Sequence, residues 1–139
     1  MASLSLSQVI ERPPSAVFRF LATDHVANHP RWDPNMSLTQ VTPGPIGVGT
    51  TIRRSYLPDD VRVDGEMEVV EYEPDHAFGL VIRDGPVEMR ARTTIGPQGD
   101  GASLLTLTIE ADVPVERMSP DPIQQSLDRM KELIESEPA

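Results

Sequence analysis

Three histidines, a pair of adjacent arginines and a loose series of carboxylates are the groups in this chain with chemistry to offer. His25 and His29 stand four apart, the spacing that sets two imidazoles on one helical face, and His76 is available as a third metal ligand. Pro30 directly follows His29 and is expected to end that helix, and no carboxylate completes a zinc-protease pattern. The histidines therefore read as surface residues, and neither a metal nor a cofactor is assigned. Gly44, Gly47 and Gly49 run in the reverse order of a dinucleotide-binding fingerprint and lead into a strand. A phosphate loop needs a helix N-terminus there, so phosphate binding is set aside.

No serine sits in a G-x-S-x-G elbow, and the chain has no cysteine, which removes disulfides, thiol nucleophiles and thiolate ligands together. The carboxylates Asp59, Asp60, Asp64, Glu66, Glu68, Glu71 and Glu73 fall mostly on turns or on the polar phase of a strand. No acid–base pair, and no catalytic residue, is nominated from them. Arg54 is different. If Ile52 faces inward, a period of two carries Arg54 and Tyr56 inward with it. A buried arginine is costly unless a carboxylate or an anionic ligand pairs with it, so Arg54 is a candidate anchor for a ligand carboxylate, enol or phenol. The opposite register leaves it exposed.

The elements that must position these groups follow from the apolar spacing. A first strand covers roughly Ser3 to Ile10, and Pro13-Pro14 ends it and opens a short helix with Val17, Phe18 and Leu21 on one face. Thr23 or Asp24 caps a second short helix. From Ser37 the period becomes two, with strands expected near Ser37–Thr42, Thr50–Leu57, Arg62–Tyr72, Ala77–Arg83, Val87–Ile95 and Ser103–Asp112. Turns such as Pro58-Asp59-Asp60, Glu73-Pro74-Asp75 and Asp84-Gly85-Pro86 are mostly too short for crossover helices, so neighbouring strands pair antiparallel. Clean alternation over Val87–Ile95 and Leu105–Ala111 implies one wet face and one covered face. The cover is a final helix with Asp121 as N-cap and Pro122 at the first helical position, placing Ile123, Leu127, Met130 and Ile134 on one side.

With 139 residues the chain reads as one domain over positions 1–139, long enough for a core without disulfides. A net charge of −10, with arginines scattered, argues against nucleic acid and anionic membranes. The N-terminus lacks the charge and apolar run of a signal peptide, and no stretch approaches a membrane span. A cytoplasmic protein with no membrane insertion is expected; oligomeric state is not readable.

The run Ile10-Glu11-Arg12-Pro13-Pro14-Ser15-Ala16-Val17-Phe18 resembles the opening of the START-like, or SRPBCC, superfamily, most closely its polyketide cyclase/dehydrase and lipid transport branch. Asp24 ahead of Pro30-Arg31-Trp32-Asp33-Pro34, the segment Gly44–Thr50 and the segment Glu68–Pro74 resemble further family features in the same order. The resemblance implies an α+β helix-grip fold, a seven-stranded curved antiparallel sheet wrapped around the C-terminal helix, with two short helices after the first strand. It also implies a pocket for a hydrophobic small molecule, polyketide-like or lipid-like. On the sheet the expected lining is Arg54, Tyr56, Met67, Phe78, Leu80, Met89 and Leu107. From the helices it is Trp32, Leu127 and Met130, although Trp32 equally reads as a core residue. Five methionines, Met36, Met67, Met89, Met118 and Met130, suit either an adaptable surface or an irregular core. Two alternatives stay open: a cyclase or dehydratase in which Arg54 or Tyr56 polarises an oxygen, and an interaction module with a filled cavity.

Overall fold

The computed structural model describes residues 2–56, 62–112 and 120–137. Among them lie the strands β1 (Ala2–Ile10), β2 (Met36–Gln40), β3 (Thr51–Tyr56), β4 (Val63–Glu73), β5 (Ala77–Asp84), β6 (Val87–Pro97) and β7 (Ser103–Ala111). They form one sheet in the order β1-β7-β6-β5-β4-β3-β2, every neighbouring pair antiparallel. The two strands that follow each other first in the chain, β1 and β2, thus occupy opposite edges. Their connection must cross the sheet, and it does so through α1 (Pro14–Phe18), a π-helical turn (Arg19–Thr23) and α2 (His25–Trp32). The last helix, α3 (Pro120–Ser136), packs against β1 and α2. This is the helix-grip arrangement expected from the sequence.

Three local departures have physical causes. α2 runs through Pro30 to Trp32, because the backbone N–H of Asp33 still bonds the carbonyl of His29 at 3.0 Å. A proline that late in a two-turn helix removes one donor without stopping the rest. Asp24 occupies the N-cap position of α2, but its side chain makes no capping bond. α3 begins at Pro120, so Asp121 sits within the first turn, where a carboxylate complements the positive end of the helix.

A bulge in β4 decides which side chains turn inward. The register to β5 shifts between Val69 and Glu71, leaving Val70 as the extra, exposed residue. A strict period of two from Met67 and Val69 would drive Glu71 into the core. With the bulge, Glu71 lies opposite Gly79 on the outer face, and Tyr72 turns in to meet Phe18 and Phe78 at ring distances of 5.1 and 6.2 Å. At the β5–β6 turn, Asp84 pairs with Val87 around Gly85-Pro86. Gly85 supplies the positive φ of 60° that the first position of such a two-residue loop demands.

α3 is anchored at its C-terminal half. Leu127, Met130 and Ile134 are buried against the sheet, each contributing about 1.5–3 kcal/mol before ordering entropy. Lys131 Nζ donates to the carbonyl of Val9 at 2.7 Å, and the Arg12 guanidinium donates to the carbonyls of Glu135 and Glu137. The end of β1 therefore holds the last turns of the helix, where unpaired carbonyls attract cations. No helix among the described residues is long and apolar enough to cross a membrane.

Candidate functional site

Between the concave face of the sheet and the stretch of α3 from Pro122 to Met130 lies a cavity of about 580 Å³. Phe78, Leu80 and Ile82 of β5 form its floor, with Met89 and Ala91 of β6 and Leu107 and Ile109 of β7 beside them. Ile123, Leu127 and Met130 of α3 face them from above. The alternation in β6 and β7 points these residues at the core, yet Met89, Ala91, Leu107 and Ile109 are only half-buried. All four line the cavity. Under α1 the same sheet is packed solid, with Ile10 and Val17 fully buried and off the cavity wall. The fold is therefore filled at one end and hollow at the other.

Polar groups gather on the side closed by α2. The π-helical turn leaves two carbonyls to side chains of the following helix: Asn28 Nδ2 donates to the Phe20 carbonyl at 2.9 Å, and His25 Nδ1 donates to the Leu21 carbonyl at 2.7 Å. A carbonyl only accepts, so Nδ1 of His25 carries the hydrogen. Burial lowers the His25 pKa to about 4, against a smaller opposing effect of the Leu21 carbonyl, and the ring is neutral at pH 7. Its Nε2 is then a lone pair, which accepts from Nδ1 of His29 at 3.0 Å. That donation leaves the lone pair of His29 on Nε2. Burial first, then the neighbouring His25 and Arg54, hold the His29 pKa well below the usual histidine range. His29 stacks nearly flat on Trp32, with centroids 4.8 Å apart and planes 15° from parallel. Both histidines line the cavity. The expectation of surface histidines is therefore wrong for His25 and His29, because the helix continues past Pro30 and turns this face inward, whereas His76 is exposed as expected.

Arg54 is buried, 7 % exposed, and reaches the cavity from β3. Its Nη2 donates to Oδ2 of Asp84 on β5 at 3.0 Å. The two strands are separated by β4, and the residue of β4 opposite Arg54 is Gly65. A Cβ at Gly65 would stand 2.0 Å from Asp84 Oδ1 and 2.5 Å from the Arg83 carbonyl. Glycine is required there because the carboxylate occupies the space a side chain would take. The pair brings no net charge to the cavity, so Arg54 is less an isolated cation than a polarised dipole.

Of the residues the sequence singled out, Trp32, Arg54, Phe78, Leu80, Met89, Leu107, Leu127 and Met130 line the cavity. Met67 is fully buried within the packed core and is not on the wall. The side chain of Tyr56 lies outside the described residues, as do Met118 and the turn Pro58-Asp59-Asp60. Met36 is on the wall. His25, His29 and Asp84 were not anticipated; the four-residue histidine spacing was the one available signal. Among the described residues no three metal-ligating side chains converge.

Comparison with known proteins places these features in context. The family model described as polyketide cyclase / dehydrase and lipid transport matches residues 1–135. Among solved structures, a protein from Chromobacterium violaceum superposes with a TM-score of 0.78 at 20% identity, covering 97% of this chain and 98% of the other. The protein Ara h 8.0201 gives 0.78 at 15% identity, covering 97% and 98%. Truncated norcoclaurine synthase from Thalictrum flavum gives 0.77 at 13% identity, covering 98% and 94%. At these identities the likeness is one of fold. No curated protein matches the chain.

Proposed function

The chain belongs to the polyketide cyclase/dehydrase and lipid transport family, and on that premise we propose that it binds one apolar small molecule, polyketide-like or lipid-like, beneath α3. The observation that carries this reading is the half-exposed apolar wall of β6 and β7 around a space of about 580 Å³. Apolar surface left against water in a domain interior is unfavourable, by roughly 25 cal/mol per Å² that a ligand would recover on binding. The volume lies within the roughly 300–1,000 Å³ of small-molecule sites, and a mostly apolar wall with a few polar groups at one end is their usual make-up. A filled cavity, as an interaction module would have, does not fit this wall.

A binding role is favoured over a cyclase or dehydratase by the chemistry of the polar end. Acid–base catalysis near neutral pH needs a group poised to exchange protons. His29, with its pKa held well below the usual range beside Arg54, is a weak base, and Arg54 is already engaged by Asp84. The fluorescent apolar amine N-phenyl-1-naphthylamine tests the reading. It is expected to bind saturably at one site per chain and to be excluded by Ala91→Phe, which fills the wall from β6. A folded wild-type protein that takes up no dye, or an Ala91→Phe variant that binds it equally well, contradicts the reading.

A further inference from the structure

The tautomers of the two histidines are fixed by a relay that starts at a backbone carbonyl. Leu21 offers only an acceptor, so His25 presents hydrogen at Nδ1 and a lone pair at Nε2. That lone pair fixes hydrogen on Nδ1 of His29, 3.0 Å away. Nε2 of His29 is left as an acceptor, and among the described residues no protein donor bonds it. The ring is held in place by its stack on Trp32, and both rings belong to the cavity wall. The cavity thus contains an oriented acceptor that is accessible from the cavity space.

We propose that Nε2 of His29 accepts a hydrogen bond from a neutral hydroxyl of the bound molecule, so that the cavity selects phenols and enols over the matching hydrocarbons, ethers and carboxylates. This deepens the small-molecule reading above and rests on it. The charges nearby argue in the same direction. Arg54 of β3 is matched by Asp84 of β5, and Asp33 at the end of α2 adds a carboxylate to the wall. An incoming carboxylate meets no uncompensated cation there and faces the His29 lone pair, whereas a hydroxyl supplies the donor the lone pair lacks. An ether of the same shape brings no hydrogen. The depressed pKa of His29 keeps the ring neutral across the physiological range, so the acceptor is present whenever the ligand arrives.

The test is competition against N-phenyl-1-naphthylamine by naphthalene, 2-methoxynaphthalene, 2-naphthol and 2-naphthoate at pH 7.5. One hydrogen bond to this cavity-lining acceptor is expected to make 2-naphthol about tenfold tighter than naphthalene or its methyl ether, with 2-naphthoate the weakest. His29→Phe retains a ring against Trp32 and is expected to bring the affinities for 2-naphthol and naphthalene within about twofold of each other. In the wild-type protein, long-range proton–nitrogen NMR is expected to show His29 Nε2 unprotonated, with its resonance moved by 2-naphthol and not by the ether. Equal affinities for 2-naphthol and its ether, an advantage that survives His29→Phe, or an Nε2 signal indifferent to 2-naphthol overturns the proposal while leaving the apolar site intact. Failure of the dye and all four naphthalenes to bind removes the site and the proposal together.

Discussion

Arg54 and Asp84 meet 3.0 Å apart across β4, over a glycine that leaves them room. The outer face of the sheet repeats the device. Glu71 of β4 and Arg92 of β6 bond at 2.7 and 3.0 Å over Gly79 of β5, which pairs with both in register. The inner pair is almost wholly buried, while Arg92 is 55% exposed. The same chemistry should therefore carry different weights. Arg54→Ala, which strands a buried carboxylate, is expected to cost about 3–5 kcal/mol. Arg92→Ala should cost less than about 1 kcal/mol. Urea denaturation of the two variants checks the difference, and equal costs would mean that Asp84 is hydrated in solution.

Gly65 gives a second test of the inner pair. Its substitution by alanine forces the Asp84 carboxylate and the Arg83 carbonyl aside, and about 3 kcal/mol of destabilisation is expected. A methyl added at Gly96 would meet nothing within 4 Å, and the residue has no positive φ, so Gly96→Ala should change stability by less than about 1 kcal/mol. A mild Gly65→Ala variant would show that the pair tolerates separation.

Stability should also depend on pH through His25. Unfolding returns this ring from a pKa of about 4 to about 6.5, so between those values the unfolded chain binds the extra proton. The stabilisation is complete above pH 6.5, falls as the pH drops through this window, and is lost near pH 4. A shift of this size corresponds to about 3 kcal/mol. The carboxylates held low by their partners, Glu71, Glu135 and Asp64, lose their contribution at lower pH, below their ordinary values of 4.5, 4.5 and 3.8. Unfolding free energies measured from pH 7.5 to 4.5 should decline in the wild type and decline less in His25→Gln. Parallel curves would place the titration elsewhere.

Much of the fold was legible because its signals are periodic. The alternation along β6 and β7 and the four apolar positions of α3 each define a face without help from the rest of the chain. Arg54 was legible for the same reason, as a residue in phase with Ile52. Asp84 was not, because it stands in an Asp-Gly-Pro string that reads as a turn, and its inward placement depends on the absent side chain of Gly65 on the neighbouring strand. The histidines were seen as a pair but assigned to the surface, since Pro30 reads as a terminator. Their burial comes from the π-helical turn, whose free carbonyls recruit His25 and Asn28 and so fix which face of α2 points inward. The bulge at Val70 likewise has no local signature in an otherwise regular strand.

Two methionines separate wall from core. Met67 is fully buried away from the cavity, and Met67→Ala should cost about 2–5 kcal/mol. Met89 is half-buried on the wall, so Met89→Ala should cost less than about 1.5 kcal/mol while weakening dye binding several-fold, by roughly 1 kcal/mol. Thermal melts and dye titrations on both variants check this. Similar stability losses would mean that the cavity closes in solution.

Methyl NMR during titration with N-phenyl-1-naphthylamine tests the binding site most directly. Saturable shifts are expected at Met89, Leu107, Leu127 and Met130 on the two sides of the cavity, with the exposed methyls of Val48, Val70 and Leu104 unmoved. Shifts confined to the exposed set, or none at saturating dye, would contradict a small-molecule site beneath α3.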